Sequence, residues 1–121
     1  MYEKEVEQKW QNTDEYKEYK AKTKNYSIDD WNKINNMMEN IFREFALLMN
    51  DGKNPNDSNV QYLVKLLQKH ITDNYYTCSN DILKGLGQMY ISDDRFKSNI
   101  DKYSIGTSKF INDAIIKYTK D

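Results

Sequence analysis

Apolar side chains recur along this chain at spacings of three and four over most of its length, and nowhere do they alternate convincingly with a period of two. That is the spacing of helices that bury one stripe, so the pattern predicts an all-α fold. The longest segment starts at Ser27, where Ser27, Ile28, Asp29 and Asp30 fit a capping box, and carries Trp31, Ile34, Met38, Ile41, Phe45 and Leu48 before Asp51 and Gly52 stop it. A linker over residues 53–57 holds the only proline, and a second run follows with Val60, Leu63, Val64, Leu67 and Ile71. A third segment covers residues 76–96. After Ser104, Ile105 and Gly106, a fourth places Phe110, Ile111, Ala114, Ile115 and Tyr118 on one side, and a short polar turn of helix from Ser92 to Ile100 precedes it. Four such stripes suffice to wrap one core, and 121 residues make one domain.

Residues 1–26 differ in kind. They hold 12 charged side chains and only Met1, Val6 and Ala21 as aliphatics, beside Tyr2, Trp10, Tyr16, Tyr19 and Tyr26. Tyr2, Val6 and Trp10 recur every four residues, and Asn12, Thr13, Asp14 and Glu15 can cap a second short helix. Helices of roughly 10 residues are marginal in water without tertiary support. The segment therefore reads as two short helices that dock their aromatics on the rest of the chain. Two states remain open: a mobile lid over residues 1–26 that settles when something binds, with residues 27–121 as the helical core, or surface helices that are docked permanently.

The third segment carries Gly85 and Gly87 in its middle, each costing about 1 kcal/mol relative to alanine in a helix. At 100° per residue, Ile82, Leu83, Leu86, Met89 and Tyr90 form one apolar arc opposite Lys84 and Gln88, with a glycine at either edge. Both glycines are thus expected off the solvent-facing surface, one at a helix contact and the other at a cavity that admits a flat ligand.

Composition narrows the function. Lys and Arg number 18 against 19 Asp and Glu, a net charge of -1 without blocks of one sign, which gives no nucleic-acid footprint. The chain has one cysteine, no signal-peptide pattern and no 18-residue apolar span, so a cytoplasmic location and no membrane are expected. Aromatics make up 13% of the residues, 10 of them Tyr, and suit a wall that meets ligands as well as a core. Catalysis finds little support. His70 stands alone, without metal-ligand spacing, and is expected at the surface or as a capping residue; neither metal nor cofactor is implied. Asp93, Asp94 and Arg95 follow Ser92 where a helix start selects acids, and Arg95 is expected in a local ion pair. There is no phosphate loop, nucleophile elbow or dinucleotide glycine pattern, and the chain does not read as an enzyme.

The run "GLGQMYISDDRF" at residues 85–96, followed by Asn99, Ile100 and Asp101, resembles the "LGEMYVSDERF…NID" stretch of the TipA-S antibiotic-recognition domain of MerR-type regulators. "YEKEVEQKW" at residues 2–10, then Asn12 to Asp14, Tyr16, Lys22, Thr23, Tyr26, Asp30 and Trp31, resembles that family's N-terminal block. Ile105, Gly106 and residues 113–115 resemble its end. The resemblance spans residues 2–118 in one order. It implies a helical, globin-like domain whose cleft takes hydrophobic polycyclic or peptidic drugs, with an N-terminal part that is loose until ligand arrives. It also implies that the family's prototype captures thiopeptides through a cysteine placed directly before the "LGEMY" run, where this chain has Gly85. Binding here is then expected to be reversible. Cys78 lies seven residues before Gly85 with no adjacent base, and reads as a small buried hydrophobe.

The expected function is reversible binding of hydrophobic antibiotics by an effector-sensing domain. Trp10, Tyr16 and Tyr19 would close over the guest. The wall would come from Met38, Phe42, Tyr75, Cys78, Ile82, Gly85 and Met89, while Trp31, Phe45 and Leu86 belong to the core. The expected regulator is a homodimer paired through a segment absent here, so this chain alone is expected to be a monomer without direct nucleic-acid contact. A stand-alone drug-sequestering protein and a helical interaction module, its cleft filled by a partner helix, are the alternatives.

Overall fold

The structure is a computed structural model that describes residues 13–120. The first expected short helix, and Trp10 with it, lie outside the described residues.

Six helices and no strand are found among the described residues. Helix α1, Asp14–Thr23, begins where the Thr13 hydroxyl accepts the Tyr16 amide at 3.1 Å; Asp14 and Glu15 sit in its first turn and Lys20 and Lys22 in its last, each matching the helix dipole. Helix α2, Ile28–Asn50, carries the expected capping box, with Ser27 and Asp30 exchanging hydrogen bonds at 3.0 Å. It stops before Gly52, whose φ of 83° is the left-handed backbone that glycine adopts without strain. Helix α3, Ser58–Asn74, is capped by Asp57. Helix α4, Asn80–Ser92, is capped by Ser79.

The polar turn expected from Ser92 to Ile100 is a separate helix, α5, Asp94–Asp101. Asp93 ends α4 in an extended conformation and caps α5, and its carboxylate pairs with Arg95 at 2.8 Å as expected. Helix α6, Thr107–Tyr118, starts at Gly106 with φ 96° and no side-chain cap. Asp101 supplies what the cap lacks, its Oδ1 accepting the Ser108 amide at 2.8 Å.

The core is built around α6, which packs against α2, α3, α4 and α5. Phe110, Ile111, Ala114 and Ile115 meet Phe42, Phe45, Val60, Val64, Leu67, Ile71, Leu83 and Tyr90, all buried. The predicted stripes of α2, α3 and α6 face this core, with two exceptions. Trp31 is half-buried and lies in an aromatic stack at the end of α2 instead of the core. His70, expected outside, is 4% exposed, because its place three residues after Leu67 puts it on the apolar stripe of α3. Burial holds its pKa below the ordinary value, while the nearby Asp73 carboxylate pulls it up. Its Nδ1 lies 3.2 Å from the Asn74 amide nitrogen, and its Nε2 has no hydrogen-bond partner among the described residues.

The two glycines of α4 divide differently from expectation. Gly87 is buried, and a Cβ there would lie 2.6 Å from Asn112 Oδ1 and 3.3 Å from Ile115 Cδ1; its bare backbone lets α6 approach. Gly85 is exposed, with nothing within 4 Å of where its Cβ would be. The buried face of α4 is centred on Leu83, Gly87 and Tyr90, because α6 packs there, and this turns Gly85 outward. Leu86, placed in the core from the sequence, is half-buried and packs against the core's edge with Ile82 and Met89. The apolar arc of α4 is therefore wider than the core needs.

Candidate functional site

The surplus apolar surface of α4 has a counterpart on α2. Beside its buried stripe, α2 carries the half-buried Met38 and Ile41, as α4 carries Ile82, Leu86 and Met89. The two helices barely approach backbone to backbone; the Phe42 and Tyr90 rings bridge them, edge to face at 5.8 Å and 85°. Phe42 is thus a buried bridge, and the Phe96 ring lies 6.0 Å from that of Tyr90.

Tyr75, just past the end of α3, joins the N-terminal arm to this region. Its ring stacks on Tyr19 of α1 at 6.2 Å and 16°, lies 6.2 Å from Trp31 of α2, and meets His70 edge to face at 6.1 Å. Tyr16 continues the stack from Tyr19 at 6.2 Å, and Tyr26 sets its edge on Trp31 at 5.2 Å. Five rings from α1, the turn after it, α2 and the α3 terminus therefore form one continuous ladder. Burial pushes the Tyr75 phenol up to about 12, with Tyr19 and Tyr26 adding to the shift.

Polar bonds hold the arm where the rings place it. Lys22 Nζ donates to the Thr72 carbonyl, the Tyr26 hydroxyl donates to the Asn74 carbonyl at 2.6 Å, and the Glu18 carboxylate accepts the Thr77 amide at 2.8 Å and its hydroxyl at 2.9 Å. α1 itself buries no residue. It is fastened by its edges.

Of the residues singled out in the sequence, Tyr16, Tyr19 and Tyr75 are brought together in the ladder, and Met38, Ile82, Gly85 and Met89 lie on the half-open flanks of α2 and α4. Phe42 and Cys78 are instead inside the core. Trp31 and Tyr26 complete the ladder and were not singled out as site residues. Trp31 was legible only as an apolar position at helical spacing. Glu18, Lys22, Thr72 and Thr77 carry no pattern, since their contacts join residues 50 to 59 positions apart. A separate depression of about 530 Å³ lies on the other flank of α4, lined by Lys84, Gln88, Ile116, Lys117, Thr119 and Lys120. It shares no residue with the ladder.

Cys78 precedes the cap of α4 and is 5% exposed, and burial pushes its thiol up to about 11. Reactivity follows the thiolate, so burial is expected to slow Cys78 in the folded protein. Alkylation by iodoacetamide at pH 8 is expected to be at least tenfold slower than for the same chain in denaturant, read by intact mass. Equal rates would show an accessible thiol. Among the described residues no cluster of three His, Cys, Asp or Glu side chains could hold a metal, and no helix is long and apolar enough to cross a membrane.

An aromatic arm docked on a helical bundle, beside half-open apolar flanks, defines a class of all-α recognition domain. The chain belongs to the TipAS antibiotic-recognition domain family, whose pattern matches residues 2–118. It is 35% identical over 116 residues to the HTH-type transcriptional activator TipA of Streptomyces coelicolor, covering 96% of this chain and 46% of that protein. It is 39% identical over 101 residues to the HTH-type transcriptional activator mta of Bacillus subtilis, covering 84% and 38%. The chain spans less than half the length of these curated relatives. Its fold matches that of TipAS from Streptomyces lividans in complex with nosiheptide, with a TM-score of 0.88 and 34% identity over 98% of this chain and 82% of that one. It also matches the antibiotic-binding domain of a TipA-class multidrug resistance transcriptional regulator, with a TM-score of 0.67 and 29% identity over 74% and 95%. The architecture is the globin-like all-α one.

Proposed function

We propose that this domain binds hydrophobic antibiotics reversibly, in the groove between α2 and α4, as the effector-sensing part of a MerR-type transcriptional regulator acting in the cytoplasm. The carrying observation is the ring ladder Tyr16, Tyr19, Tyr75 and Trp31, which docks the arm on a bundle whose half-buried Met38, Ile82 and Met89 keep apolar surface the core does not use. Such surface, removed from water by a guest, contributes roughly 25 cal/mol per Å², less the cost of ordering the arm. Gly85 is exposed and offers no nucleophile. The buried Cys78 offers none in its place. Capture is therefore non-covalent, and residues 1–26 act as the lid whose ordering reports the guest to the rest of the regulator. The domain has no chemistry of its own to perform on the guest.

Thermal unfolding with a panel of hydrophobic antibiotics that includes nosiheptide tests this. A guest at 100 times its dissociation constant stabilises by about 2.7 kcal/mol, which raises the melting temperature by several degrees and changes emission from Trp31 at the ladder. Native mass spectrometry is expected to show a 1:1 complex that denaturation returns to the unmodified mass. No shift with any member at 100 µM, on the order of a weak ligand's dissociation constant, would overturn the reading. A surviving adduct would overturn its reversibility.

A further inference from the structure

Helix α1 buries no residue, yet it lies fixed against the end of α3. The reason lies in what α3 lacks. A helix leaves its last four carbonyls without partners, and α3 has no basic residue in its last turn to face them. The Ile71 carbonyl takes the amides of Tyr75 and Tyr76 at 2.8 and 3.1 Å. The Thr72 and Asn74 carbonyls are met from the arm, by the Lys22 ammonium and the Tyr26 hydroxyl. The arm thus caps α3.

The loop that follows is satisfied in the same divided way. The Cys78 amide donates to Thr72 Oγ1 at 3.1 Å, and Gln68 Nε2 donates to the Cys78 carbonyl at 2.9 Å. The Thr77 amide alone among the four from Tyr75 to Cys78 finds its acceptor outside the loop and α3, in Glu18. Both carboxylate oxygens are used, Oε1 by the amide and Oε2 by the hydroxyl, with Lys22 at 3.5 Å from Oε2. Such paired, charge-assisted bonds fix direction as well as distance.

We infer that Glu18 is a positioning residue: by gripping Thr77 it makes docking of the arm, capping of α3 and ordering of the loop that carries Tyr75 one cooperative step, and so sets guest affinity without touching the guest. The affinity half rests on the proposed binding function; the cooperative docking does not. The charged neighbours are few. Lys22 stands on the same helix, Asp73 of α3 faces Lys22 and is paired with Lys69 at 2.7 Å, and residues 75–79 carry no charge. The Thr77 amide and hydroxyl, and then Lys22, hold the Glu18 carboxyl below its ordinary 4.5. A depressed acid contributes above its unfolded value and is lost as the pH falls through its folded one, so the grip is complete near neutrality and opens only in acid below the ordinary carboxylate range.

Amide exchange on the whole chain, corrected for intrinsic rates, tests this with E18Q and T77V against wild type. At pH 7, E18Q is expected to raise exchange at Thr77 and over residues 14–26 about tenfold while α6 is unchanged, and T77V, which keeps the amide, to give a smaller rise over residues 14–26. Arm exchange in wild type is expected to climb on acidification and in E18Q to stay flat. With nosiheptide as probe, E18Q is expected to weaken the dissociation constant by about five- to tenfold. Arm exchange that ignores E18Q would overturn the grip, whatever binds. Released arm exchange with unchanged nosiheptide affinity would overturn the coupling. Failure of wild type to bind nosiheptide or any other panel member would overturn the binding function, and the coupling with it, while the exchange data still decide the grip.

Discussion

Replacing Tyr75 by alanine is expected to lower the unfolding free energy by about 3 kcal/mol and to free the arm, whereas phenylalanine at the same place should stay within about 0.5 kcal/mol of wild type. The difference follows from what each part of the side chain does. The ring is half-buried and touches Tyr19, Trp31 and His70, so it links α1, α2 and α3 at once. Aromatic pairs contribute about 0.5–1.5 kcal/mol each beyond the area they bury, and alanine forfeits all of them. The hydroxyl makes no comparable contribution: burial raises its pKa to about 12 by disfavouring the charged form, and among the described residues it makes no hydrogen bond that phenylalanine would break. Urea unfolding followed by tryptophan emission measures both variants, since Trp31 lies 6.2 Å from the ring. An alanine variant as stable as phenylalanine would show that the ladder is decoration and that the arm is held by its polar bonds alone.

How much of this was legible beforehand depended on the reach of each interaction. Caps and stripes are local, so the capping box at Ser27, the stop at Gly52 and the core stripes of α2, α3 and α6 are all readable within a few residues. The burial of His70 was readable too, from its place one turn after Leu67 on the apolar stripe of α3. The rotation of α4 was not readable. Its apolar arc covers about a third of the helix with a glycine at either edge, and only the approach of α6 at Gly87 decides that Leu83 and Tyr90 go inward and that Gly85 faces out. The grip of Glu18 on Thr77 was unreadable for a simpler reason: two common polar residues 59 positions apart leave no periodicity. In the candidate site, then, the aromatics of the arm announced themselves by composition, and what fastens them did not.

The same rotation gives the two glycines of α4 opposite signs. Gly87→Ala adds a methyl group 2.6 Å from Asn112 Oδ1. Asn112 is a flexible side chain in principle, but it is buried and accepts from Gln88 Nε2 at 3.4 Å, so it yields only by giving up that bond, and Ile115 must move as well. Overpacking costs about 1–3 kcal/mol, and the better helix propensity of alanine returns about 1, which leaves a net loss of about 1 kcal/mol. Leucine at this position has the same propensity gain and far more volume, and should lose about 3 kcal/mol or more. Gly85→Ala meets nothing within 4 Å and keeps the propensity gain, so it should stabilise by about 0.5–1 kcal/mol. For a domain of this size 1 kcal/mol moves the melting temperature by about 4 °C, and calorimetry separates the pair easily. Should both alanines stabilise equally, α6 does not seat on Gly87 and the outward rotation of α4 is wrong. If the signs are as argued, Gly85→Leu isolates function from stability: a side chain that costs the fold nothing would occupy the space between Ile82 and Met89, and nosiheptide affinity should fall while the melting temperature of the free protein holds or rises.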